Sequence, residues 1–150
     1  MALTVLLLSS LIVGAGLQLQ TARQLTEVEQ TADRVAAIVH TVAEAPAEAR
    51  LEVDQAAARL HGIPSTLRGS AYVLRFTSNT VTVDAQGMRS TASWGTEVRL
   101  GPPLDDQGLP PPALQGLTVP SGAPWVVHKL AAADGAGPAG AHVVHLYHTG

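Results

Sequence analysis

The chain has 150 residues, a formal net charge of −3 and no cysteine. The absence of cysteine excludes a disulfide framework, thiolate catalysis and metal sites with cysteine ligands. No basic patch interleaved with aromatic residues is present, so the sequence predicts no nucleic-acid binding. Hydrophobic residues make up 46% of the chain but aromatic residues only 3%. We therefore expect a core built mainly from Val, Leu and Ala side chains.

The first segment of the chain, residues 2–17, is apolar and uncharged, and no charged side chain precedes Arg23. As a helix it would span about 24 Å, slightly less than the ~30 Å hydrocarbon core of a bilayer. Three interpretations compete: a cleaved secretory signal, a buried helix of a soluble domain, and a retained anchor or assembly helix. A secretory signal needs a basic region before its apolar run, and none is present. We favour the retained helix, in which the lipid or helix-bundle contacts are made by Leu6, Leu7, Leu8, Leu11, Ile12, Val13 and Leu17.

From Gln18 onward the apolar run becomes amphipathic without any helix-breaking residue. Its apolar residues recur at alternating spacings of three and four, which is typical of a helix with one buried stripe. Pro46 ends the pattern, because a proline is not tolerated inside a helix. The sequence therefore predicts one helix over residues 3–45. The predicted helix–sheet packing stripe consists of Leu25, Val28, Ala32, Val35, Val39 and Val42.

After Pro46 the period changes from helical to alternating. Residues 50–54 alternate as a half-buried strand does, and residues 55–60 can form a helical turn. Residues 71–77, 80–84 and 88–94 predict a three-stranded antiparallel meander with turns at 78–79 and 86–87. One face of this meander is predicted to be apolar and covered by the N-terminal helix. The inward residues are Tyr72, Leu74, Phe76, Val81 and Val83.

The remainder of the chain is rich in proline and glycine. Residues 101–124 are predicted to form a loop. Residues 125–130 and 141–147 read as strands of a terminal hairpin, joined by a Gly/Ala/Pro linker over 131–140. The predicted fold class is thus α+β, with a long N-terminal helix (1–45) packed on a small antiparallel β-sheet domain (46–150).

No catalytic constellation is visible in the sequence. There is no Gly-x-Ser-x-Gly nucleophile motif and no convincing phosphate-binding loop. On a strand, His142 and His148 share a face but lie about 20 Å apart, and His145 faces the other way. His128, on the partner strand, could approach one of them, which gives at most a two-histidine site. We expect these to be surface or edge histidines, and we expect no enzyme activity, no cofactor and no metal.

Several features together resemble a known family. They are the apolar N-terminal helix, its continuation TADRVAA over residues 31–37, the break at Pro46 and a short strand. There follow a Pro-x-x-Leu-x-Gly-x-x-Tyr turn (residues 64–72) and a meander of the type Asn-x-Val-x-Val (residues 79–83). Over residues 1–94 the chain resembles archaeal type IV pilin-like proteins.

The resemblance implies export and processing by a prepilin-type peptidase. It further implies assembly, with copies of itself or related pilin subunits, into a filament at the cell surface, or retention as a membrane-anchored subunit with the β-domain outside. The alternative function is that of a membrane-anchored surface binding protein that does not polymerise.

Overall fold

The computed structural model describes residues 2–101, 114–130 and 144–148, with side chains from residue 23 onward. Within these ranges it contains two helices and eight strands. In chain order they are α1 (Ala2–Ala43), β1 (Ala49–Val53), α2 (Gln55–Leu60), β2 (Val73–Phe76), β3 (Thr80–Ala85), β4 (Met88–Ser93), β5 (Arg99–Gly101), β6 (Leu117–Pro120), β7 (Trp125–Lys129) and β8 (Val144–His148).

Helix α1 is continuous over 42 residues, about 63 Å at 1.5 Å per residue. It ends at Ala43, close to the predicted boundary, three residues before Pro46. After a short connection, β1 and α2 follow where alternation and the helical turn were predicted. The side chain of Asp54 caps α2 by accepting a hydrogen bond from the amide of Ala57 at 2.8 Å, as an N-cap residue does.

The first sheet contains the predicted meander. Its strand order is β4-β3-β2-β6, and all its neighbours are antiparallel. The turn between β3 and β4 has Gln86 at φ +51° and Gly87 at φ +83°, the two positive angles that a tight hairpin turn of this type requires. Leu74, Val81 and Val83 are buried on one face, so the predicted alternation in the meander is confirmed.

The prediction of a loop over 101–124 is wrong for part of its length. Residues 117–120 form β6, which pairs with β2 at the edge of the first sheet. Gly101 belongs to β5, and Leu114 forms an isolated bridge with Leu100. The edge position is compatible with Pro120 at the end of β6, because an edge strand pairs on one side only and the missing N–H of a proline then costs no ladder hydrogen bond on the open side. Residues 102–113 lie outside the described part of the chain.

The second sheet has the order β1-β7-β8-β5. Strands β7 and β8 are antiparallel, as predicted for the terminal hairpin, although the linker over 131–140 lies outside the described residues. Strand β1 pairs with β7, and β5 pairs with β8 in parallel. The domain is therefore built from two sheets rather than the single antiparallel sheet that the sequence predicted.

One hydrophobic core joins the helix and both sheets. The main packing of α1 is against β3 and β4, with further contacts to β7 and β1. Phe76 links the sheets, because its ring centroid lies 6.4 Å from that of Trp94 and 5.2 Å from that of Trp125. The fold is thus α+β, with one helix packed on two largely antiparallel sheets.

Candidate assembly site

The junction between α1 and the β-domain is formed by a wide apolar face of the helix. Five residues of the predicted stripe are buried: Val28, Ala32, Val35, Val39 and Val42. Leu25, predicted to belong to the same stripe, is instead 42% exposed. It lies one turn before the first residue of α1 that is buried among the described side chains.

The buried face is wider than the predicted stripe. It also includes Thr31, Ala36, Ile38 and Ala43, which lie beside the stripe at neighbouring helical positions. The hydroxyl of Thr31 donates to the carbonyl of Glu27 at 2.8 Å, so this buried polar group has a partner within the helix. A core-facing helix commonly carries such a second apolar column. Applying that general rule to the sequence would have included these residues in the predicted packing stripe.

Lys129, at the end of β7, binds the C-terminal end of α1. It is only 7% exposed, and its ammonium group donates to the carbonyls of Ala43 at 2.9 Å and Ala45 at 2.5 Å. The last carbonyls of a helix have no partner within the helix and carry the negative end of its dipole. The buried ammonium group therefore satisfies the last carbonyl of α1, and also that of Ala45 in the connection that follows, and its charge stabilises the helix end. The sequence predicted a strand here but neither the burial of Lys129 nor its partners.

Two further polar contacts connect α1 to the β-domain. One guanidinium nitrogen of Arg34 donates to the carbonyl of Gly62 at 2.6 Å. Gly62 has φ +72°, and a Cβ at this position would lie 3.3 Å from that guanidinium. The ring nitrogen Nδ1 of His40 lies 3.1 Å from the carbonyl of Trp94. Together with Lys129, these contacts attach the helix to both sheets and to the end of α2.

The N-terminal half of α1 contains the seven residues predicted to make membrane or assembly contacts. Their backbone is helical, but the side chains of Leu6, Leu7, Leu8, Leu11, Ile12, Val13 and Leu17 lie outside the described residues. Across the described residues, no helix has both the length and the apolarity needed to cross a membrane.

A cavity of about 180 Å³ lies where α2 meets the ends of both sheets. Its walls include the buried side chains of Val53, Ile63, Leu74 and Trp125, and Asp54, Gln55 and Arg59 also line it. The hydroxyl of Tyr72, another wall residue, donates to the carbonyl of Pro64 at 2.5 Å. Burial raises the pKa of Tyr72 to about 12, because the phenolate would lose its hydration.

The histidines of the terminal hairpin are not all surface residues. His145 is fully buried, opposite His128 of β7 and beside Arg99 of β5. The prediction that these histidines are surface or edge residues is therefore wrong for His145, because parallel pairing with β5 makes β8 an inner strand. Desolvation lowers the pKa of His145, and the positive charges of Arg99 and His128 lower it further. His142 lies outside the described residues.

No known protein family, no curated protein and no solved structure matches this chain.

Proposed function

We propose that this chain is a structural subunit of an archaeal type IV pilus-like surface filament, assembled through its apolar N-terminal helix. The observation that carries the proposal is the continuity of α1 from Ala2 to Ala43. One unbroken helix joins the uncharged run over residues 2–17 to the part that the β-domain holds. A disposable signal segment would not need that continuity.

The attachment of the helix supports a role in assembly. Buried Val and Ala side chains, the Lys129 contact at the helix end and the Arg34 contact with Gly62 all hold the C-terminal half of α1. A firmly held helix fixes the position of the β-domain relative to whatever surrounds the apolar run. That property is useful in a subunit whose helices pack together while its domains face outward.

The chemistry of the apolar run suits lipid or neighbouring helices. Burying a Leu, Ile or Val side chain contributes roughly 1.5–3 kcal/mol, and residues 6–17 contain seven of them. Gly14 and Gly16 would let another helix approach closely. The proposed partners are therefore copies of this chain or related pilin subunits. Before assembly the helix would lie in the membrane, and the β-domain would lie at the cell surface.

A second candidate function is favoured by the cavity between α2 and the two sheets. A concave site with buried apolar walls and a few polar groups is typical of small-ligand binding. On this alternative, the chain is a membrane-anchored surface binding protein that does not polymerise, and the helix serves only as an anchor.

Electron microscopy separates these two functions. The full chain would be expressed in its native host with a small epitope tag, and surface filaments would be labelled with antibody. The pilin-like function predicts regular labelling along filaments that disappear when the gene is deleted. Labelling confined to the cell envelope, with filaments absent or unlabelled, would refute it and leave the anchored binding protein.

A further inference from the structure

We propose that His128 and His145 form a binding site for a divalent transition-metal ion of the Zn²⁺ class, on the face of the second sheet that points away from α1. The two residues lie directly opposite each other in the antiparallel β7–β8 pair. Residues opposite each other in such a pair share a face, with Cβ atoms about 4.5–5.5 Å apart. That spacing allows two imidazoles to bind one ion.

The ring nitrogens of this pair are short of partners. Nδ1 of His128 and both Nδ1 and Nε2 of His145 are buried, and none has a hydrogen-bond partner in the described part of the chain. A buried polar group without a partner is costly. Imidazole nitrogens are ligands that Zn²⁺, Cu²⁺ and Ni²⁺ accept readily. An ion bound between the rings would therefore satisfy atoms that the protein leaves unpaired.

Glu48 determines which nitrogen of His128 is available. Its carboxylate oxygen Oε1 lies 3.1 Å from Nε2 of His128. A carboxylate only accepts hydrogen bonds, so Nε2 carries the proton and, in the neutral ring, Nδ1 holds the free lone pair. This is the arrangement in which a carboxylate orients a metal-binding histidine through its other nitrogen. Glu48 is thus a positioning residue for the site.

The surrounding charges limit the affinity. Arg99 of β5 lies beside His145 in the strand register, and Arg50 of β1 lies beside His128. The carboxylate of Glu48 carries the opposite charge to these two arginines. Tyr147 supplies an aromatic contact, with its ring centroid 5.2 Å from that of His145. Within the described ranges, no group of three or more His, Cys, Asp or Glu side chains could hold an ion. Among the described residues the site therefore offers two protein ligands, one fewer than the three of a catalytic zinc site.

Metal titration of the full chain tests the proposal. The purified protein, stripped with a chelator and dialysed, would be titrated with Zn²⁺ while bound metal and the melting temperature are measured. We expect one Zn²⁺ per chain and a rise in melting temperature, because an ion that binds the native state stabilises it. His128→Asn should remove both effects, and Glu48→Gln should weaken binding by about tenfold.

Two further variants make the result unambiguous. His61→Asn changes an exposed histidine at the C-terminal cap of α2, and this variant should bind Zn²⁺ as the wild type does. His145→Asn should lose binding like His128→Asn, and circular dichroism would establish that each variant is folded. If Zn²⁺ fails to bind the wild type, or binds a folded His128→Asn variant with unchanged affinity, the proposal is wrong. The result is independent of filament assembly.

Discussion

Replacement of Lys129 by methionine tests how the β-domain holds the end of α1. Methionine keeps most of the apolar stem but removes the ammonium group, and with it the hydrogen bonds to the carbonyls of Ala43 and Ala45. A hydrogen bond to a charged group contributes about 1.5–3 kcal/mol, and the helix dipole adds about 0.3–1 kcal/mol. Relief from burying the ammonium group offsets part of that loss. We expect a net loss of about 2–3 kcal/mol in the free energy of unfolding.

Chemical and thermal denaturation measure this loss. In a chain of this size 1 kcal/mol corresponds to roughly 2–4 °C, so the melting temperature should fall by about 4–12 °C. Arg50→Met is the matched control, because Arg50 is exposed and its ion pair with Glu52 is 4.0 Å long. It should change stability by less than about 0.5 kcal/mol. If the Lys129→Met variant is as stable as the Arg50→Met control, the contact between Lys129 and the end of α1 does not hold the helix to the β-domain.

Three other predictions concern single residues of the core, a turn and the cavity. Val35→Ala should reduce the free energy of unfolding by about 2 kcal/mol in denaturant titrations, because it leaves space in the buried helix–sheet junction. Leu25→Ala, at an exposed position of the same helix, should change it by less than about 0.5 kcal/mol. Gly87→Val should cost about 1–2 kcal/mol, since the position has φ +83°. Tyr72 should ionise only near pH 12 in a spectrophotometric titration, and Tyr72→Phe should remove that step. Because the folded-state pKa is raised, the contribution of Tyr72 to stability is present below about pH 10 and is lost as the pH rises towards 12.

For each of these three predictions, one experimental outcome would contradict it. Equal losses at Val35 and Leu25 would mean that the helix packs on the β-domain through a different face. A Gly87→Val variant with unchanged stability would show that the β3–β4 turn has another conformation. Ionisation of Tyr72 near its ordinary pKa would place its hydroxyl in water rather than against the carbonyl of Pro64.

The parts of the fold that the sequence predicted are those specified by local patterns. The alternation in 80–84 and the Gln86–Gly87 turn determine a hairpin within about ten residues. Pro46 and the three–four spacing before it similarly determine where the helix ends. In these segments the periodicity of apolar residues and the turn chemistry agree, so tertiary contacts reinforce the local preference.

The parts that were missed depend on contacts between distant segments. Strand β6 has only four residues, lies in a proline-rich stretch and exists because β2 offers an open edge. The parallel pairing of β5 with β8 has no local signature, and it is this pairing that buries His145. The partner of Lys129 lies more than 80 residues away in the sequence. Leu25 fits the heptad spacing, but the β-domain does not extend to cover it.

The central claim is that the apolar run over residues 2–17 is a retained assembly element, and one pair of substitutions tests it most directly. Leu8→Arg places a charge in that run, whereas Ala37→Arg places the same charge on an exposed part of the same helix. A charge within a membrane-spanning helix costs at least about 2.5–3.5 kcal/mol. The measurement is the amount of each variant in the membrane and filament fractions of its host. We predict that Leu8→Arg is lost from both fractions while Ala37→Arg stays at the wild-type level. Normal retention and assembly of Leu8→Arg would contradict the account.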